Sequence, residues 1–232
     1  MPSSTLKGSL SVVIPTLDAG AVLPLCLRAL AAGGDLVGEI LVADGGSRDA
    51  TLLAAATGGA RVIAAPSGRG QQLARGAEAA RGAWLLFLHA DTCLAAGWGE
   101  AVEAFIADPG NAARAGYFRF RLDDRTQAAR RVEKLVAWRC RNLALPYGDQ
   151  GLLILRALYR QVGGYRPYPL MEDVDLVRRL GRARLAPLDC DAVTSAARYR
   201  RDGYVMRPLR NLACLALYFL GVPPQRLALL YG

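Results

Sequence analysis

The protein's single histidine and an acidic residue follow an apolar run of the kind that forms a buried strand. The run 85–88 reads Leu-Leu-Phe-Leu, and His89 and Asp91 come directly after it, separated by one alanine. Ligands of open α/β sheets bind beyond the carboxyl ends of the strands, so a carboxylate placed there can meet a metal ion or a phosphate. We take Asp91 as the first candidate metal ligand. For His89 we favour a histidine satisfied by hydrogen bonds over a metal ligand.

Two glycine-containing segments follow other apolar runs. In Asp44-Gly-Gly-Ser47 an acidic residue ends a predicted strand, and the glycines let a ligand approach the backbone near a helix start. In the segment 67–72, Arg69 lies between two glycines, where a guanidinium can bind a phosphate or a base edge. The alternative is two ordinary turns, in which Ser47 and Asp49 cap a helix and Arg69 is solvated. That alternative leaves only Asp44 unexplained.

Further charged groups occur in the second half of the chain. Glu172, Asp173 and Asp175 precede an apolar-periodic run. One of these carboxylates can act as a general base, whereas the alternative is that all three cap the helix and complement its dipole. The same half contains three arginines close together, Arg198, Arg200 and Arg201. One of them can neutralise a diphosphate leaving group, or all three can be surface charges.

The elements that would position these side chains alternate between strands and helices. Predicted strands are 10–14, 39–43, 61–65, 85–91, 115–122 and 152–155, and predicted helices are 22–32, one from about 49, 71–80, 98–107, 125–143 and 174–180. Four successive strand–helix units predict an α/β fold with a mainly parallel, doubly wound sheet and helices on both faces. Since no repeat or linker interrupts the pattern, we predict one domain.

Composition predicts an ordered globular protein with an anionic partner. The formal net charge is +9, and the five cysteines contain no C-x-x-C pair, which favours a reducing cytoplasm. Residues 1–9 lack the pattern of a secretory leader, and the late apolar run 212–222 is about half as long as a bilayer span. Two alternatives stay open for 207–220: packing on the protein, or peripheral contact with the inner face of the membrane.

Taken in order, the motifs resemble those of the family 2 glycosyltransferases. The matching motifs are Val13-Ile-Pro-Thr16 with Asp18, Asp44-Gly-Gly-Ser47 with Asp49 and Thr51, Gly68-Arg-Gly-x-Gln72, His89-Ala-Asp91, Gly148-Asp-Gln150 and Glu172-Asp173. The resemblance covers roughly 10–201. Within the family, the chain is most similar to the small soluble branch named for arsenosugar biosynthesis, through Leu88-His-Ala-Asp-Thr92, Tyr147-Gly-Asp-Gln150 and Leu170-Met-Glu-Asp-Val174.

The resemblance implies the GT-A fold, a nucleotide-diphosphate sugar donor that is usually UDP-linked, and Mg²⁺ or Mn²⁺. It also implies inversion at the anomeric carbon. Pro15, Asp18 and Asp44 would line the nucleoside pocket, and Asp44 and Arg69 would face the base. Asp91 would hold the metal on the diphosphate.

The same resemblance assigns the chemistry of transfer to the second half of the chain. Asp173 would deprotonate the acceptor, and Glu172 would orient Asp173 or the acceptor. One arginine of the set Arg198, Arg200 and Arg201 would stabilise the leaving group. The acceptor would be small or lipid-linked.

The chain departs from the family pattern at two places. The first position of the usual Asp-x-Asp metal motif is His89, so a single carboxylate would hold the metal more weakly or with the help of water. The Gln-x-x-Arg-Trp motif of processive synthases is missing, which favours single transfer over polymerisation. We expect a nucleotide-sugar-binding half at about 9–110, an acceptor and catalytic half at about 111–203, and a helical appendage at 204–232. We expect the loops 117–124 and 165–168 to line the acceptor pocket.

The competing hypothesis is a basic membrane-surface or nucleic-acid-binding α/β protein without transferase activity. It predicts salt-dependent binding to anionic lipid or RNA that does not require Asp91. The sequence shows no known nucleic-acid-binding module. We therefore expect no nucleic-acid partner and favour the enzyme.

Overall fold

The computed structural model describes residues 6–231, with only the backbone of Tyr231. The strands are β1 (Leu10–Thr16), β2 (Val37–Asp44), β3 (Arg61–Ala64), β4 (Trp84–Phe87), β5 (Thr92–Leu94), β6 (Ala115–Leu122), β7 (Leu152–Leu155) and β8 (Leu185–Thr194). The α-helices are α1 (Leu23–Leu30), α2 (Thr51–Thr57), α3 (Arg69–Ala79), α4 (Trp98–Ala107), α5 (Gln127–Leu143), α6 (Arg156–Gln161), α7 (Glu172–Leu180), α8 (Ala197–Asp202), α9 (Met206–Phe219) and α10 (Pro224–Tyr231).

The described strands form one mixed sheet in the order β3-β2-β1-β4-β7-β6-β8-β5. Strands β1 to β4 are mutually parallel, so their carboxyl ends meet at one edge. Strand β7 runs antiparallel to β4 and to β6, while β6 and β8 are parallel. The predicted α/β fold with a mainly parallel sheet is confirmed. Strands β6 and β8 therefore end at the same edge as β1 to β4, and β7 begins there.

Successive side chains of the central strands pack on opposite faces of the sheet, which creates a core on each face. Val12 and Ile14 of β1 pack with α1 and α4, whereas Val13 packs with α3. Helix α3 approaches β1 closely because Gly76 has no side chain: an added Cβ would overlap Val13. The second core also contains residues of α7, α9 and α10, including Leu176 and Leu215. Packing on both faces therefore fixes the loops at the carboxyl edge.

Several predicted elements differ from the structure. Strand β4 ends at Phe87, and the next residues turn before the separate strand β5. Strand β8 was not predicted because Pro187 and two aspartates interrupt its apolar residues, yet its burial alternates along the strand. Ser47 does not cap α2, which has Ala50 at the N-cap position. The predicted strand 115–122 is confirmed as β6, so residues 117–122 do not form the acceptor loop that was also expected there.

No helix within residues 6–231 is long and apolar enough to cross a membrane. The expectation of no leader concerned residues 1–9, of which 1–5 lie outside the described residues.

Candidate active site

Two neighbouring clefts at the carboxyl edge of the sheet contain most of the predicted site residues. We call them the loop cleft, lined by residues that follow β1 and β3, and the helix cleft, lined by residues of the 147–149 turn, α7 and α9. Residues that line both clefts, and so form their junction, are Arg69, His89, Asp91 and Arg198. A larger cavity of about 630 Å³ between α5 and the β6–β8 pair is lined by part of the segment 117–124 expected at the acceptor pocket, but by none of the predicted catalytic, donor-binding or metal residues among those described.

The loop cleft is shaped by hydrogen bonds between the loops that follow β1 and β2. It is lined by Pro15 and Asp18, whose predicted place in a nucleoside pocket stays a prediction. Asp18 accepts a hydrogen bond from the backbone N–H of Arg48 at 2.8 Å, and its own N–H donates to Ser47 Oγ at 2.9 Å. The φ of Asp18 is 50°, a left-handed conformation that aspartate tolerates better than most residues. Ser47 thus joins two loops instead of capping a helix.

Asp44 lies behind the loop cleft and fastens the same loops. Its carboxylate accepts hydrogen bonds from the Thr16 hydroxyl at 3.0 Å, from the Ser47 hydroxyl at 2.5 Å, and from the N–H groups of Gly46 and Ser47 at 2.9 Å. These four donors fill its accepting capacity, and the residue is only 6% exposed. Asp44 lines neither cleft. Its contact with the base stays a prediction, whereas its role in holding the loops is directly visible.

The junction combines one carboxylate with two guanidinium groups and the imidazole. The side chain of Asp91 is 20% exposed, and its Oδ2 lies 3.8 Å from Nη2 of Arg198. Burial lowers the pKa of His89 to about 4, and Arg69 adds to this effect, so the imidazole is neutral at pH 7. An anion that enters the junction therefore meets two cationic side chains and one acidic group suited to a cation.

Asp173 faces the helix cleft from the first turn of α7. Its Oδ2 accepts a hydrogen bond from the Gly148 N–H at 2.7 Å, and its Oδ1 accepts one from the Val174 N–H at 2.7 Å. These donors and the helix N-terminus stabilise its negative charge. Met171, which precedes α7, has a φ of 65°, and this uncommon conformation turns the chain so that the helix begins inside the cleft.

Glu172 is almost completely buried beside Asp173. Its side chain is 2% exposed, its Oε1 lies 3.3 Å from Nε of Arg69, and its Oε2 has no hydrogen-bond partner. Burial raises the pKa of Glu172 from 4.5 to about 7, although Arg69 opposes the change. Asp175 differs, because it pairs with Arg166 and Arg179 away from the cleft. The acidic cluster therefore divides into two cleft residues and one structural residue.

The structure separates the three candidate arginines. Arg198 lines both clefts. Arg200 instead lies 3.7 Å from Asp123 and 3.5 Å from Asp124, and Arg201 pairs with Asp202 at 2.7 Å. Neither Arg200 nor Arg201 lines a cleft, so the geometry favours Arg198 over the other two as the group near a leaving diphosphate.

Other residues of the helix cleft were not assigned from the sequence. Asp149 has a buried Oδ1 without a hydrogen-bond partner, and burial raises its pKa from 3.8 to about 6. Arg207 and Asn211 of α9 line the cleft one helical turn apart. The Gly-Asp-Gln motif was a signal for Asp149, whereas Arg207 and Asn211 lay in a segment assigned to surface contact or packing. The expected acceptor loops contribute no residue to the cleft lining within the described part of the chain.

This arrangement agrees with a comparison to known protein families. Residues 11–168 match the model of the glycosyl transferase family 2. The chain belongs to this family. The resemblance drawn from the motifs is confirmed at the level of the family.

Relatives of this family 2 glycosyltransferase include the PGL/p-HBAD biosynthesis glycosyltransferases of Mycobacterium tuberculosis and Mycobacterium bovis. They are 42% identical over 93 residues, which cover 36% of this chain and 36% of each relative. The match thus spans little more than a third of the length of these relatives.

Solved structures confirm the GT-A fold. S. aureus TarS (residues 1–349) has a TM-score of 0.63 at 16% identity and covers 81% of this chain and 60% of that one. The glucosyl-3-phosphoglycerate synthase of Mycobacterium tuberculosis, solved with Mn²⁺ and UDP-glucose, has a TM-score of 0.57 at 23% identity and covers 81% of this chain and 69% of that one.

The donor atoms of the junction suit a cation bound together with a diphosphate. Asp91 presents a partly exposed carboxylate, and Arg198 is too distant for a hydrogen bond to it. Within residues 6–231, no three His, Cys, Asp or Glu side chains are grouped to enclose a metal ion. Mg²⁺ is commonly held by one or two carboxylates, with substrate phosphates as further ligands. The residues therefore fit a shared cation and do not fit one enclosed by protein.

The buried Glu172 predicts a pH dependence of stability. Because its folded pKa of about 7 lies above the ordinary 4.5, the folded protein binds more protons than the unfolded chain between these values. The free energy of unfolding must therefore fall as the pH rises through this window, by at most about 1.4 kcal/mol per pH unit. We expect Glu172→Gln, which cannot ionise, to gain on the order of 1–3 kcal/mol relative to the parent protein between pH 5 and pH 8.

Urea unfolding at the two pH values measures this difference. The control is Glu78→Gln, because the Glu78 side chain is 64% exposed and pairs with Arg75 on the same helix. An equal effect of Glu172→Gln at both pH values would contradict the prediction.

Proposed function

We propose that the protein transfers a glycosyl group from a nucleotide-diphosphate sugar, with UDP as the nucleotide, to an acceptor hydroxyl. The observation that carries the proposal is the junction of the two clefts. There Arg69, Asp91 and Arg198 suit a diphosphate with its cation, and Asp173 lies in the adjoining helix cleft. The donor would occupy the loop cleft beside Pro15 and Asp18, and the acceptor would occupy the helix cleft.

In the proposed reaction, Asp173 accepts the proton of the acceptor hydroxyl. The acceptor oxygen forms a bond to the anomeric carbon while the bond from that carbon to the diphosphate oxygen breaks. The diphosphate leaves with the electron pair, and Arg198 offsets its charge. Because attack and departure occur on opposite faces of the sugar, one displacement inverts the anomeric configuration. A single transfer completes the cycle.

Asp91 would hold a divalent cation, Mg²⁺ or Mn²⁺, against the diphosphate. Such a cation, when bound, neutralises charge on the leaving group. Arg69 would hold the donor and at the same time offset the negative charge of Glu172, whose Oε1 is 3.3 Å from its Nε. Glu172 would then orient Asp173 or the acceptor, and Asp44 would act on the base through the loops it fastens.

The relatives support the choice of donor. The mycobacterial glucosyl-3-phosphoglycerate synthase was solved with Mn²⁺ and UDP-glucose and, in another structure, with Mg²⁺ and UDP. We extend a UDP-linked donor and a divalent cation to this chain as proposals. Membership of the branch named for arsenosugar biosynthesis is likewise a proposal, supported by the motifs around Asp91, Gly148 and Asp173.

We further propose that the protein is cytoplasmic and contacts the inner face of the membrane through 207–220. Helix α9 presents Met206, Leu209, Leu212 and Phe219 to solvent, each about half exposed or more, while Arg207 and Asn211 line the helix cleft. An apolar outer face beside an acceptor cleft supports a lipid-linked acceptor. Cosedimentation with anionic lipid vesicles tests this contact, and absence of binding would refute it.

A thermal-shift screen of nucleoside diphosphates with and without Mn²⁺ tests the proposed transferase. Saturation to about 100 times the dissociation constant should raise the free energy of unfolding by about 2.7 kcal/mol. We expect the largest shift with UDP and Mn²⁺ together. If no nucleotide gives a metal-dependent shift, the proposal is wrong.

A further inference from the structure

The side chain of His89 lies directly against Gly148 in the lining of the helix cleft. A Cβ built on Gly148 would overlap Nε2 of His89 and would lie 2.9 Å from its Cε1. Protein interiors cannot absorb such an overlap without moving one of the two groups. The imidazole therefore occupies the place that a side chain at position 148 would need, and only glycine fits beside it.

The turn that contains Gly148 cannot easily move away from the imidazole. Gln150, which is 2% exposed, accepts hydrogen bonds from the Tyr147 N–H at 3.3 Å and from Arg139 at 3.2 Å. Its amide donates to the Phe118 carbonyl at 3.0 Å. These bonds fix the turn to α5 and β6 from behind, so the imidazole is the more movable partner.

The backbone of the same turn holds the proposed base. The N–H of Gly148 donates to Oδ2 of Asp173 at 2.7 Å. His89 lies at the junction, where the donor diphosphate would bind. It packs against Gly148, and Gly148 in turn is hydrogen-bonded to Asp173. The distance between the junction and the carboxylate depends on how closely His89 and Gly148 pack.

We infer that His89 is a positioning residue that sets the spacing between the donor junction and Asp173 through its packing against Gly148, and is not a metal ligand. The inference rests on the proposed function for the identity of Asp173 as the base. It gives a physical reason for the glycine that lies directly against the histidine at the first position of the metal motif. A substitution at one position should be compensated at the other.

The test compares three variants: Gly148→Ala adds a side chain, His89→Ala removes the imidazole, and the double variant does both. The rate of UDP release from UDP-glucose with Mn²⁺, with water as the acceptor of the glucosyl group, is measured together with the thermal unfolding temperature. Gly148→Ala should lower kcat about 10²-fold, since a displacement near 1 Å costs about that much, and leave KM for UDP-glucose unchanged. His89→Ala should lower kcat less than about tenfold. The double variant should recover at least about tenfold over Gly148→Ala, because the smaller side chain makes room for the new Cβ.

Gly99→Ala is the matched control, because an added Cβ there would lie 3.4 Å from its nearest neighbour, an ordinary contact.

Loss of the Mn²⁺-dependent UDP shift in His89→Ala would show that His89 is a metal ligand and would overturn the inference. A double variant no better than Gly148→Ala would also overturn it. If Gly148→Ala does not fold, recovery of folding in the double variant supports the inference and continued failure refutes it. If the parent protein releases no UDP, the proposed reaction fails, while the unfolding temperatures still decide the packing of His89 against Gly148.

Discussion

Asp173→Asn should reduce glycosyl transfer by about 10² to 10⁴-fold and leave nucleotide binding nearly unchanged. The amide matches the carboxylate in size but cannot accept the proton of the acceptor hydroxyl. Asp173 lines only the helix cleft, whereas the donor would occupy the loop cleft and the junction. The loss should therefore appear in kcat, with KM for the donor and the Mn²⁺-dependent UDP shift preserved. Release of UDP from UDP-glucose is the measurement.

The control for Asp173→Asn is the same substitution at Asp35, whose side chain is 81% exposed and pairs with Lys7 far from the cleft. Asp35→Asn should have the activity of the parent protein. Full turnover by Asp173→Asn would show that another group takes the proton. The buried Glu172 is then the next candidate, since burial holds its pKa near 7 and a base with such a pKa can act at neutral pH.

The carboxyl-edge residues could be predicted from the sequence because local pattern and sheet geometry act together. Parallel strands end at one edge, so polar residues after β1, β3 and β4 had to lie near each other. Asp18, Arg69 and Asp91 do lie there, in one continuous lining. Asp173 comes from a helix that follows the antiparallel β7, and only its place in the ordered family motifs pointed to the cleft.

Other parts of the site depend on tertiary contacts that leave no local pattern. Arg207 and Asn211 reach the cleft because α9 packs its Cys214 and Leu215 into the second core, a docking that periodicity cannot specify. Likewise, the need for glycine at position 148 arises from an imidazole that lies 59 residues away in the chain. The burial of Glu172 also results from packing, and so does its raised pKa.

The Asp44 motif shows why motif residues and ligand contacts differ. The sequence placed Asp44 correctly at the end of β2, but its hydrogen-bond partners include Thr16 of the neighbouring strand. A carboxylate saturated by four donors shapes the wall of the loop cleft from behind. Its influence on a nucleotide would therefore act through the positions of the loops that carry Asp18 and Ser47.

Asp91→Asn should remove most of the Mn²⁺-dependent part of the UDP thermal shift. The amide retains one oxygen but loses the charge that attracts a hard cation. Within residues 6–231, Asp91 does not belong to a group of three or more metal-binding side chains that could hold the cation without it. At a ligand concentration of 100 times the dissociation constant, the substitution should remove up to about 2.7 kcal/mol of ligand-dependent stabilisation. The metal-independent part of the shift should remain, because Arg69 and Arg198 still face the diphosphate.

The control for Asp91→Asn is Asp189→Asn, which removes a side chain that is 92% exposed and pairs with Arg119. An Asp91→Asn protein with the full Mn²⁺-dependent shift would show that the cation is held elsewhere or by the nucleotide alone. If neither the parent protein nor Asp91→Asn gave any nucleotide-dependent shift, and both bound anionic vesicles or RNA equally, the basic binding protein would replace the transferase. Because the two hypotheses assign Asp91 opposite importance, this single substitution separates them.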